Sequence, residues 1–145
     1  MTHKHILVTC LILVVGLAGC TGSSAELREE RAPIDFVVDL AEDGPQLAIT
    51  FGLRRVGVLS QETLDAYWQL TDAAGELRAE SISPAVDANA IPDDGSTLEI
   101  MTWRGELDPG RYELIWGVNG LGSRTVQFEV LSNDGGLFLG EVSNP

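Results

Sequence analysis

The chain has 145 residues, enough for one domain, and sets nine basic side chains against 22 acidic ones for a net charge of −13. That balance excludes nucleic-acid binding, which depends on neutralising phosphates with Lys and Arg, and it supplies no basic patch for anionic lipid. Both histidines, both cysteines and the only lysine lie at or before position 20. The rest of the chain therefore has no imidazole, amine or thiol, which closes Ser–His–Asp, Cys–His and Ser–Lys catalysis and removes the nitrogen and sulfur donors of zinc and copper sites.

The first five residues carry Lys4 and the two histidines, and Ile6–Val15 is apolar apart from Thr9 and Cys10. Ile6 to Gly19 is shorter than the ~20 residues of a spanning helix and has the size of a secretory signal core. It ends in Leu17-Ala18-Gly19-Cys20, which resembles the lipobox of bacterial lipoprotein precursors. The residue types fit that chemistry: a thiol accepts a diacylglyceryl group, and small residues before it let the signal peptidase close on the backbone. The resemblance implies that residues 1–19 are a cleaved signal peptide and that Cys20 carries lipid, with a further acyl chain such as palmitate on its new amino group in many bacteria. Two or three chains, at ~0.8 kcal/mol per buried CH₂, anchor a protein stably. Thr21 stands where an inner-membrane retention aspartate would, which points to the outer membrane in a host that has one. With the leader gone, eight arginines face 22 carboxylates, a net of −14, and no disulfide is possible inside the domain.

Residues 20–33 are polar and end at Pro33, the pattern of a flexible tether reaching roughly 20 Å. From Ile34 the apolar period is two. Ile34, Phe36, Val38 and Leu40 form one row, and Leu47, Ile49, Phe51 and Leu53 another beyond the turn residues Asp43-Gly44-Pro45. Leu64, Ala66, Trp68 and Leu70 make a third, closed by Asp72-Ala73-Ala74-Gly75, with Leu77 opening a short partner strand. The stretch Ser83–Ser96 has two prolines and little bulk, and reads as a loop. On the next strand the spacing sets Leu98 and Ile100 on one side and Met101 and Trp103 on the other. Tyr112, Leu114, Trp116 and Val118 form a strong row, and Val126, Phe128 and Val130 return after Asn119-Gly120. About seven strands with turns every 8–12 residues predict an antiparallel β-sandwich over 34–131, with 132–145 a tail or an added edge strand at Leu137-Phe138-Leu139.

Leu107-Asp108-Pro109-Gly110-Arg111-Tyr112 resembles the tyrosine corner of immunoglobulin-like sandwiches, whose tyrosine bonds back to nearby backbone. Over residues 65–118 the chain also resembles the BsuPI-type intracellular proteinase inhibitors, an immunoglobulin-like family. The matching elements are Asp72-Ala73-Ala74-Gly75, Trp103-Arg104-Gly105 and Pro109-Gly110-Arg111-Tyr112, in family order. A second resemblance is to CopC-type periplasmic copper proteins, whose last hairpin runs through the same Pro-Gly-x-Tyr and a Phe-x-Val, here Phe128-Glu129-Val130. The copper-binding histidines of that family are missing, so this likeness implies architecture alone.

Asp93-Asp94-Gly95 and Asn133-Asp134-Gly135 have calcium-loop residue types but lack the alternating Asp spacing, and they read as turns. Trp68 and Trp116 continue inward rows. The expected function is binding without catalysis, with no cofactor and no metal: a lipid-anchored extracytoplasmic module with a protein partner, in the periplasm or at the exterior. The alternatives are a membrane-tethered peptidase inhibitor of BsuPI type and a structural envelope component. The candidate interaction loop is Ser83, Pro84, Ala85, Ile91 and Pro92, where prolines stiffen a segment that an inhibitor would present.

Overall fold

The computed structural model describes residues 32–82 and 85–145, which belong to one compact unit, Ala32–Pro145. Leu17, Ala18, Gly19 and Cys20 of the lipidation motif lie outside the described residues, as do Ser83 and Pro84. The unit has ten strands where the sequence suggests about seven. They are β1 (Ile34–Asp43), β2 (Gln46–Arg55), β3 (Thr63–Leu64), β4 (Ala66–Asp72), β5 (Leu77–Ile82), β6 (Val86–Asp87), β7 (Thr97–Gly105), β8 (Gly110–Val118), β9 (Gly122–Asn133) and β10 (Gly136–Ser143). The added ones are the two-residue pair β3–β6 and the C-terminal β10.

Two antiparallel sheets enclose the core: β1-β2-β7, and β10-β9-β8-β4-β5. This is an immunoglobulin-like sandwich, with strands A, B and E opposite G, F, C and a short C-flanking strand, and β10 added beyond G. The period-two rows fall where the pleat requires. Ile34, Ile49, Phe51 and Leu53 from one sheet meet Leu70, Leu114, Trp116, Val126, Phe128 and Val130 from the other, all buried. The disulfide that joins strands B and F in antibody domains has no counterpart. Phe51 of β2 stacks on Trp68 of β4 at 5.1 Å and meets Trp116 of β8 at 5.2 Å, so three aromatic rings bridge the sheets at this level. The Trp116 indole N–H donates to the Gly52 carbonyl oxygen at 3.0 Å, while the buried Trp68 Nε1 has no hydrogen-bond partner.

Strand β7 corrects the sequence reading. Leu98 pairs with Leu53, Glu99 with Gly52, then Met101 with Phe51 and Trp103 with Ile49, so Ile100 is an extra residue in a β-bulge. Residues opposite each other in an antiparallel ladder project from the same face. The bulge therefore puts Leu98, Met101 and Trp103 together on the core side, and strict alternation fails at one residue. Trp103 packs 5.9 Å from Trp68, and its ring covers Gly105, whose Cβ, if it had one, would lie 2.2 Å from Cζ2.

Candidate functional site

The candidate interaction loop is fastened down over most of its length. Ala85 is exposed, but Val86–Asp87 pairs with Thr63–Leu64, and the Asp87 carboxylate caps the 3₁₀ turn Ala88–Ala90 by accepting from Asn89 N at 2.8 Å. In a 3₁₀ turn residues i and i+3 eclipse, so Ala88 and Ile91 point the same way, into the core with Val86. Ile91 is 1 % exposed, which corrects its assignment as a presented residue, and Pro92 is half-buried. Arg55 completes the fastening: it donates to the Ala88 carbonyl oxygen at 2.6 Å and forms an ion pair with Asp93. The spacing Val86-x-Ala88-x-x-Ile91 carries this in the sequence, but a single helical turn between prolines offers no repeat to detect.

The Asp-Gly turns are backbone devices. Asp94 Oδ1 accepts from Ser96 N at 2.9 Å, and bonds from the Ser96 hydroxyl and backbone hold its carboxyl below the usual range. Asn133 Oδ1 accepts from Gly135 N at 2.8 Å. Among the described residues no three His, Cys, Asp or Glu side chains converge in a way that could hold a metal. Asp72 ends β4 the same way, with Oδ1 accepting from Ala74 N and Glu76 N at 2.9 Å each, and Oδ2 facing Arg78. The Glu76 amide first, and then Arg78, hold its carboxyl below the ordinary value against a partial loss of hydration.

A shallow trough lies on the solvent face of β4, β8, β9 and β10. Ladder pairs Thr71–Glu113, Glu113–Gln127 and Gln127–Ser143 line up across the four strands, so these side chains form one polar row. Gln127 Nε2 donates to Glu113 Oε2 at 3.1 Å, and Arg111 faces Glu129 at 4.0 Å in the neighbouring pair. Glu141 adds a further carboxylate to the lining. This arrangement provides hydrogen-bond acceptors in excess on a pleated surface.

The two ends of the sandwich differ. At the near end the chain enters at Pro33, whose carbonyl oxygen accepts from both Val56 N at 2.9 Å and Gly57 N at 3.0 Å. Asn119 N donates to Asp65 O at 2.9 Å, joining the β8–β9 turn to the same end. The far end carries the turns at 43–46, 72–76, 106–109 and 133–136, and the trough reaches it through Asp72, Ala73 and Gly75. Among the described residues no helix is long and apolar enough to cross a membrane. No protein-family model matches the chain, and no curated protein or solved structure does.

Proposed function

We propose that the mature chain is a lipoprotein of the cell envelope, held by acyl chains on Cys20, and that its immunoglobulin-like domain is a non-catalytic module that binds a protein. One observation carries the reading. The motif Leu17–Cys20 is followed by only 12 residues before Pro33, and there the chain joins the sandwich through two backbone hydrogen bonds and the fully buried Ile34. The domain thus starts where the tether ends, and the far-end turns lie at the end of the sandwich opposite Pro33.

A binding role also suits the side-chain inventory. The carboxylates of Asp72, Asp87, Asp93 and Asp94 are engaged as turn caps or ion pairs. The segment an inhibitor would extend into a protease contributes Val86, Ala88 and Ile91 to the core, so the inhibitor alternative would need a different presenting surface.

Two measurements in intact cells test the proposal. A clickable fatty acid should label the wild-type chain and not Cys20→Ser; equal labelling of both would remove the anchor. A photo-crosslinking amino acid at Gln127 in the trough should give one discrete adduct that the same group at Thr102, on the opposite sheet, does not. No adduct from Gln127, or the same smear from both, would remove the trough as the binding face.

A further inference from the structure

We propose that the loop following β2 is a membrane-contacting tip, seated at the headgroup level of the lipid surface to which the chain is anchored; this rests on the lipid-anchor reading of Cys20. Residues 56–61, Val-Gly-Val-Leu-Ser-Gln, form a run without charge in a chain that carries 22 carboxylates. Leu59 turns in and packs against the core, while Val58 is 92 % exposed and Val56 46 %. Together they make an outward apolar tip.

The position of this tip supplies its partner. Pro33 is the last residue of the tether, and its carbonyl oxygen holds Val56 N and Gly57 N. The tip is therefore built onto the root of the tether. A tether of 13 residues has a reach of roughly 20 Å. Each ten-residue strand is about 33 Å long, so at that reach an upright domain has its near end closer to the lipid surface than its far end. Glu62 and Asp65, both exposed on the same connection, limit the depth to the headgroup level and favour zwitterionic over anionic lipid.

The full-length lipidated protein reconstituted into phosphatidylcholine vesicles provides the test. Cys10 leaves with the leader and the Cys20 sulfur is blocked by lipid, so a single introduced thiol takes a polarity-sensitive dye. Dye at Val58→Cys should shift to the blue and be quenched by doxyl-phosphatidylcholine several-fold more than dye at Ala73→Cys on the far end. Dye at Ser60→Cys should be quenched likewise, and adding Val58→Asp should lower it to the Ala73 level. Equal quenching at positions 58 and 73 in vesicle-bound protein would overturn the tip while leaving the anchor intact. Protection of position 58 from aqueous iodide in cells, with no quenching by lipid in vesicles, would assign the tip to a protein instead. Wild-type protein that fails to float with the vesicles would overturn the anchor itself, and the tip with it.

Discussion

The Tyr112 hydroxyl donates to the Asp108 carbonyl oxygen at 2.7 Å, closing a four-residue corner where the chain crosses from β7 to β8. The ring is buried and stacks on Phe128 at 5.6 Å, so the bond fixes the angle at which the heavily loaded strand β8 enters the core. Burial, and then the nearby Asp108, push the phenol up from its ordinary value. Tyr112→Phe leaves the Asp108 oxygen without this donor and is expected to cost about 1–3 kcal/mol in urea unfolding at neutral pH. A phenol whose folded pKa is raised contributes stability that is complete below its unfolded pKa of about 10 and is lost as pH rises through the folded value. The wild type should therefore lose stability in alkali more steeply than Tyr112→Phe.

Two buried tryptophans that look equivalent should respond differently to the same substitution. Trp116→Phe removes the donor to the Gly52 oxygen, whereas Trp68→Phe removes an N–H that has no partner. Both lose comparable ring volume beside Phe51. Trp116→Phe is expected to be the more destabilising by about 1 kcal/mol, measured by denaturant midpoints with a common slope.

Gly105→Ala tests the Trp103 cover. The new Cβ would fall on the indole ring, and the ring must lift, loosening its contact with Trp68. The expected cost is about 1–3 kcal/mol, with a red shift in tryptophan emission. Combining it with Trp103→Leu should cost less than the sum of the two changes, because the clash disappears with the ring.

Asp72 gives the domain an acid limb. Its carboxyl is held below the ordinary value by the Glu76 amide and Arg78. Such a group adds stability above the unfolded pKa of about 3.9 and gives it up as pH falls through the lower folded value. Asp72→Asn should be less stable than wild type at neutral pH, and the gap should narrow on acidification below about pH 4. A gap independent of pH, followed by urea midpoints, would mean that the amide-accepting geometry matters and the charge does not.

The motifs that carry the sequence resemblance turn out to be folding devices. Asp72–Gly75 is a side-chain-capped turn with Gly75 at φ +79°, Trp103–Gly105 is a ring resting on a residue that must lack Cβ, and Pro109–Tyr112 is the corner. Each is legible because it is local, and each specifies a sandwich without specifying an activity. Long-range events were not legible. The bulge at Ile100 adds one residue to β7 in response to its partner strand, and nothing within Thr97–Gly105 announces it. Ile91 reads as exposed because its neighbours are Pro92 and two aspartates, yet the 3₁₀ turn before it swings the side chain inward. The trough has no sequence signature at all, since its polar row is spread over four strands joined only by register.

Strand β10 brings Leu137-Phe138-Leu139 to the rim of the larger sheet, a segment with the makings of a polymerisation template. Two features spoil that template. The Leu139 N–H, which faces away from β9, is taken by the Glu42 carboxylate of β1 at 2.8 Å, and the ladder is broken by a bulge between Leu139 and Val142. A neighbouring molecule is thus offered no straight run of free donors to copy. A rim closed by a carboxylate from the opposite sheet resists strand-by-strand addition of a second copy.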